Sequence, residues 1–405
     1  MNLSIPILVI LFTLYPLIYV HTFPETFFIR WVILLMAGLI AAYIMIRNKL
    51  LRKNKCIIPL ALFISFVFIS TVFSHYPYEA WVGISYRFTG FLSYLCFAVL
   101  FLLAFSVAFR EPEKVNKIID LWLLSASIIA SIGLLQYFGI NLIPDGTGVF
   151  VVNKSYSTFS HSNHFGTFIL MVFPFAALRF LQKPGIRSTL ILILIYGSLL
   201  TSLCRGAFIG MAFGFIILVR YYPVKKYLLS AAVIMFLVTA ALMPANNWML
   251  LKQIATAQSE LDMAVAGDPK TGSFRLLVWQ EALKALPGSI VIGTGPDTFL
   301  YISQEKFEEV QGKGWPGKAH NIYLEIWVTM GLLSLLSYLW FLKSCASDTN
   351  RGIPIEFAFF LMVVIYLIQG FFLVDVLSVY PLFWMLLGFY AGLTNRRIDT
   401  DIATS

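Results

Sequence analysis

The chain has 405 residues, 59% hydrophobic and only 12% charged, where a soluble protein carries about a quarter charged residues; so much apolar surface excludes a soluble globular fold. The formal net charge of +9 is dispersed through short polar breaks and forms no basic face, which argues against nucleic acid as a partner. Cys56, Cys96, Cys204 and Cys345 lie far apart in or beside apolar runs, without the spacing of a metal site or a disulfide framework.

A helix needs roughly 17–25 apolar residues to cross a bilayer. Apolar runs between charged or Pro/Gly breaks occur at 3–20, 27–46, 57–73, 90–109, 118–138, 164–181, 189–203, 206–221, 227–243, 321–342, 355–374 and 377–394. The expectation is an all-α polytopic membrane protein of about twelve transmembrane helices. No Lys or Arg precedes the first run and no small-residue cleavage site follows it, so it reads as a retained span and not as a removable signal peptide. The organisation expected is 1–243 for spans one to nine, 244–320 for an extracytoplasmic segment, and 321–405 for spans ten to twelve with a short tail. An even count places both termini on one side.

Lys and Arg in short loops choose the side. With a cytoplasmic N-terminus the inner set is Arg47, Lys49, Arg52, Lys53, Lys55, Arg110, Lys114, Lys117, Arg179, Lys183, Arg187, Arg220, Lys225, Lys226, Lys343, Arg351, Arg396 and Arg397. The short outer segments hold only Arg30, Arg87, Lys154 and Arg205. The cytoplasmic membrane, with both termini inside, is the localisation that follows. The segments 139–163 and 244–320 then face the extracytoplasmic side.

The longer outer segment is patterned. Leu250, Ile254, Ala257, Leu261 and Ala264 form an apolar stripe at helical spacing. A second helix is expected from Ser273 as N-cap to the Pro287-Gly288 break, and a third from Asp297 as cap through "TFLYISQEKFEEV". Amphipathic helices beside a membrane can cover a cavity between spans, so the segment reads as a lid.

Ionisable residues are nearly absent from the spans, with Glu325, Arg205 and Asp375 at span ends, which weakens a coupled-transport reading. Three polar residues from distant stretches stand at the outer mouth: Arg205 in "SLCRGAFIG", Arg275 in "GSFRLLVW" and His320 in "KAHNIYLE". Each has a bland reading, as an interfacial anchor, a first-turn residue poorly matched to the helix dipole, and a polar boundary residue. Together they suit one reaction. Two guanidiniums can hold a diphosphate bidentately and offset charge on it as it leaves, while a neutral imidazole takes a proton from an attacking hydroxyl. The reaction implied is displacement of a lipid diphosphate by an alcohol.

Weaker signals are His161 and His164 at i, i+3, a possible metal pair without a carboxylate or cysteine beside it; "GTGP" at 293–296, which a turn explains as well as a phosphate contact does; and "DTD" at 399–401 near the C-terminus, where chance suffices.

The stretches "CRGAFIG", "FRLLVWQEAL", "IGTGPDTF" and "AHNIYLEIWVTMGLLSLL", with "YRFTGFLSY" and "STFSHSNHFGTFI", together resemble the O-antigen ligase and O-antigen polymerase superfamily. The resemblance implies a GT-C-like membrane glycosyltransferase that moves a glycan from undecaprenyl diphosphate to an acceptor hydroxyl on the outer face, inverting the anomeric carbon with no metal or other cofactor. It gives Arg205 and Arg275 the diphosphate and His320 the role of base, with Arg87, Lys318 and Asn321 as supporting substrate contacts. The implied partners are the lipid-linked glycan donor, a glycan or lipid-linked acceptor, and membrane lipids. The acceptor stays open between lipid A core, for a ligase of lipopolysaccharide biosynthesis, and a second lipid-linked repeat, for a polymerase; the histidine of "AHN" leans the reading to the ligase. The competing classes are a multispan transporter or lipid flippase, which internal repeats would favour, and a non-catalytic scaffold of the cell envelope.

Overall fold

The computed structural model describes residues 3–20, 22–143, 154–222, 226–245, 275–286, 290–306 and 317–404. Each apolar run carries helix, and no strand occurs among the described residues. The first ten helices are α1 (Ser4–Thr13), α2 (Phe23–Arg47), α3 (Ile57–Val72), α4 (Pro77–Trp81), α5 (Phe91–Arg110), α6 (Pro112–Tyr137), α7 (Ser162–Gln182), α8 (Ile186–Thr201), α9 (Arg205–Tyr221) and α10 (Leu228–Ala245). Helices α11 (Arg275–Ala285) and α12 (Phe299–Lys306) follow α10 in the chain. They are followed by α13 (Ile322–Met330), α14 (Leu332–Ala346), α15 (Pro354–Gly370) and α16 (Tyr380–Thr404).

Among the described residues, four helices are long and apolar enough to cross a membrane, within α2 and over α5, α6 and α7; shorter apolar helices lie at Ser4–Leu17, Ile57–Val72, Ile186–Thr201, Leu228–Pro244, Leu332–Ala346 and Pro354–Gly370. The count of about twelve spans therefore leans on helices shorter than a full crossing. The stripe at 250–264, the Ser273 cap and the Pro287-Gly288 break lie outside the described residues.

Local signals set the ends of the long helices. Thr22 caps α2 by accepting from the Glu25 N–H, with a proline in the first turn and Arg47 in the last, each placed where the helix termini favour it. Helix α16 runs against α5 at close range. A Cβ on Gly388 or Gly392 would lie 2.4 or 2.5 Å from the carbonyl oxygens of Phe101 and Phe105, so this small-residue face lets the backbones meet. Aromatic side chains fill the space beside it, with Phe341 stacked on Trp384 at 5.2 Å and Phe97 against Tyr380 at 5.1 Å.

Several expectations are corrected. The run 321–342 is two helices, α13 and α14, parted at Gly331 with φ 89° and ψ 165°. The cause is the "VIGTGP" stretch, which packs backbone to backbone against the break. The N–H groups of Thr294 and Gly295 donate to the Thr329 carbonyl at 3.0 and 2.7 Å, and the Leu332 N–H donates to Ile290 O at 2.9 Å. The glycines of that stretch thus serve a protein contact. A Cβ on Gly331 would fall 2.0 Å from Val291 O, at a backbone conformation that costs other residues about 1–3 kcal/mol. Gly331→Ala is expected to lower the melting temperature of the detergent-solubilised protein, and unchanged melting would show that the break tolerates a side chain.

Arg30, assigned by charge counting to the outer segments, lies inside α2 and is fully buried. Its Nη2 donates to the carbonyls of Pro16, Ile18 and Thr158 at 3.3, 2.8 and 3.1 Å, and the guanidinium sits over the Tyr15 and Phe159 rings. It fastens the end of α1 and the stretch before α7 to α2. Cys56 and Cys345, distant in sequence, are neighbours with sulfurs 3.8 Å apart.

Residues assigned to the inner side gather at one end of the bundle. Arg52 pairs with Asp399, Lys55 with Asp348, and Arg397 with Glu356 at 3.1 Å, while Arg396 donates to the carbonyls of Phe109 and Arg110. Asp399 of the "DTD" stretch is thus engaged with an arginine.

Candidate functional site

A cavity of about 230 Å³ opens where four distant stretches meet. The turn between α4 and α5 supplies Tyr86, Arg87 and Thr89, and the start of α7 supplies His161, Asn163, His164 and Thr167. The stretch before α13 supplies Gly317, Lys318 and His320, and the loop between α15 and α16 supplies Leu373 to Val376, with Asp375 among them; Phe27 of α2 completes the wall.

His320 is held with φ 51°, a left-handed conformation that non-glycine residues adopt sparingly. Every neighbouring residue is anchored. Arg87 donates to the Gly317 carbonyl. The Lys318 ammonium lies between Asp297 at 2.8 Å and Glu325 at 3.0 Å. The Ala319 N–H donates to the Glu325 carboxylate at 2.7 Å, and the Ala319 carbonyl accepts from the Trp279 indole at 3.0 Å. Asn321 caps α13, its side-chain oxygen accepting from the N–H groups of Tyr323 and Leu324. The backbone that carries the imidazole is thereby fixed from both sides, and the His320 Nδ1 is buried without a hydrogen-bond partner among the described residues.

The surroundings keep this imidazole neutral. Burial, reinforced by the charges of Arg275, Arg87 and Lys318, pushes its pKa down to about 4. Across the cavity, burial and Lys154 also lower that of His161, whose Nδ1 accepts from the Asn163 N–H at 3.1 Å. The His161 and His164 rings lie 5.0 Å apart, and His164 Nδ1 is buried without a partner among the described residues. Asp375 moves the other way. Burial raises its pKa to about 7 against the stabilising hydrogen bond donated by the Tyr366 hydroxyl at 2.7 Å.

Among the residues singled out in the sequence, His320, Arg87 and Lys318 line this cavity. Arg275 opens α11 and acts on His320 through its charge; the same guanidinium acts on Cys204 against the upward push of burial on that thiol. Arg205 follows Cys204 directly as the exposed first residue of α9. Arg275 therefore bears on both the histidine and the Arg205 corner, although neither arginine lines the cavity. Two expectations shift in detail. Lys318 spends its charge on two buried carboxylates, and the oxygen of Asn321 is taken by the helix end. Asp297, expected to cap the third helix of the outer segment, instead accepts from the N–H groups of Ile84 and Thr89 at 2.9 and 3.3 Å. It has a positive φ of 63°, and the helix that follows, α12, begins at Phe299.

Sequence reasoning gave no cavity role to Asp375, His161 or His164. The histidine pair is visible in the sequence as an i, i+3 spacing, a weak signal with no carboxylate or cysteine beside it. Asp375 was visible only as a charge at a span end.

Residues 190–339 match the model of a family described as O-antigen ligase. This stretch runs from α8 into α14 and contains Arg205, Arg275, Lys318, His320 and Asn321, while Arg87, His161 and Asp375 lie outside it. No curated protein matches the chain.

Proposed function

From the O-antigen ligase/polymerase superfamily segment that this membrane protein carries, we propose that the chain is a glycosyltransferase moving a glycan from undecaprenyl diphosphate to an acceptor hydroxyl. In this reading the protein is a GT-C-like inner-membrane enzyme of about twelve spans with both termini cytoplasmic and its site on the extracytoplasmic face, as the Lys and Arg distribution supports. The observation that carries it is the neutral imidazole of His320 in the wall of the cavity, with the guanidinium charges of Arg275 and Arg87 acting on it.

The acceptor oxygen attacks the anomeric carbon as the bond from that carbon to the diphosphate oxygen breaks. The acceptor proton passes to His320, and the electron pair of the broken bond leaves with undecaprenyl diphosphate. Attack opposite the leaving group inverts the anomeric configuration. Arg275 and Arg205 offset the charge growing on the diphosphate, the task a divalent cation performs in other transferases. Arg87, one nitrogen of which is committed to the Gly317 carbonyl, borders the same cavity and contributes positive field. Asp375 and the His161–His164 wall face the space the donor sugar or acceptor would enter.

The test is reconstitution of the purified protein with undecaprenyl diphosphate-linked oligosaccharide and either lipid A core or a second lipid-linked repeat. Transfer to the core identifies a ligase and elongation of the lipid-linked chain a polymerase; the ligase is the reading we adopt. Export or flipping of the lipid in liposomes without a transfer product would overturn both. Arg275→Lys is expected to slow transfer about 10²-fold, because the charge stays but the planar fork of donors is lost. A rate close to wild type would remove Arg275 from the diphosphate.

A further inference from the structure

Helix α11 carries Arg275 at its first position and Trp279 four residues later, so the two side chains leave the same face one turn apart. The Trp279 indole N–H donates to the Ala319 carbonyl at 3.0 Å, on the residue immediately before His320. That carbonyl is a fixed point, since Lys318 on one side is ion-paired, the Ala319 N–H is bound by Glu325, and Asn321 on the other side caps α13. The helix also has an apolar face. Val278, Ala282 and Ala285 pack with Phe299, Ile302, Leu324 and Val328, and apolar contact is non-directional. The Trp279 bond adds to this packing a directional link to the residue beside His320.

We propose that Trp279 is a positioning residue of the transfer reaction: its bond to Ala319 sets the register of α11 over the cavity and so holds the Arg275 guanidinium against His320 and the diphosphate. This assignment rests on the transferase reading of the site. It explains why a tryptophan is used where phenylalanine would fill the apolar cluster nearly as well. One helix face then addresses two consecutive residues of the catalytic stretch, the backbone of Ala319 through Trp279 and the imidazole of His320 through Arg275. A displacement of about 1 Å in such a group can cost on the order of 10²-fold in rate.

The test is Trp279→Phe, which keeps the ring and deletes the N–H. Trp327→Phe is its control: Trp327 borders the same apolar cluster, and its indole nitrogen is buried without a partner among the described residues. Trp279→Phe is expected to lower kcat about 10-fold with little change in acceptor KM and to lower the melting temperature modestly, because the buried Ala319 carbonyl loses its donor, while Trp327→Phe behaves as wild type. In an Arg275→Met background Trp279→Phe is expected to cost nothing further.

The second readout needs no turnover. Of the cationic groups that depress the His320 pKa, Arg275 sits on α11, Arg87 on the turn before α5 and Lys318 on the histidine's own stretch, with His161 contributing from the start of α7; Asp375 and His164 complete the cavity. Loosening α11 withdraws only the Arg275 contribution, so histidine-selective NMR in micelles should find the imidazole pKa raised from about 4 toward the ordinary value. Wild-type kinetics and an unmoved imidazole pKa in Trp279→Phe would overturn the assignment, as would equal losses in the two tryptophan variants or a full further loss in the Arg275→Met background. Absence of transfer by wild-type protein would overturn the transferase reading instead, with the NMR shift still deciding whether Trp279 places Arg275.

Discussion

Replacement of His320 by alanine is expected to reduce glycan transfer by about 10²- to 10⁴-fold, the usual contribution of a positioned general base, while the protein still inserts and melts as wild type. The small effect on melting follows from the site: Nδ1 has no partner to lose among the described residues, and the stretch is held by its neighbours. The left-handed backbone at φ 51° strains alanine slightly. His320→Asn is the stricter variant, since asparagine tolerates that region and cannot act as the base. Both variants should fail in transfer. Activity retained by His320→Asn would mean that the backbone turn, and not the imidazole, is what the reaction needs.

The pH dependence carries the same assignment. A base works in its deprotonated form, and burial with nearby cationic charge puts the His320 pKa at about 4, so transfer should persist well below the ordinary histidine range and fall only as the pH approaches that value. Asp375, raised to about 7 by burial, titrates within the working range and could add a limb of its own. Asp375→Asn separates the two, because the acidic limb that survives it belongs to His320. An acidic limb centred near 6.5, the unperturbed histidine value, would contradict the buried cationic environment.

What the sequence made legible, and what it did not, divides along a physical line. Helices were legible because apolar length is a local property: each run from the first to the last carries helix. The break at Gly331 was not, because it depends on the Val291–Gly295 backbone arriving from elsewhere. His320, Arg275 and Arg205 could be picked out because a charge or an imidazole is conspicuous beside apolar stretches. Their partners could not. The role of Trp279 rests on a bond across forty residues, and that of Asp297 on backbone groups more than two hundred residues away. For Arg30, charge counting speaks only of the side of the membrane, and what it does not show is that carbonyls of Pro16, Ile18 and Thr158 draw the guanidinium fully inside.

Lys318 is where the two readings of one residue part most sharply, and Lys318→Met tests them. The resemblance offered it as a substrate contact. In the structure its ammonium is buried between Asp297 Oδ1 at 2.8 Å and Glu325 Oε1 at 3.0 Å, with side-chain exposures of 9%, 0% and 8% in that order, and it donates to Thr89 at 3.3 Å. Burial alone would lower the lysine pKa, but the two carboxylates outweigh it and the pKa is raised, so the pair is intact throughout the physiological range. Removing the ammonium leaves two buried carboxylates facing each other, a change expected to cost about 3–5 kcal/mol. The loss should read out as a large drop in melting temperature at neutral pH. Asp297→Asn and Glu325→Gln in the same chain should recover part of it. A Lys318→Met protein that melts as wild type but shows a raised KM for the lipid-linked donor would return the residue to the substrate. One that melts early makes it the bolt that holds His320 in place.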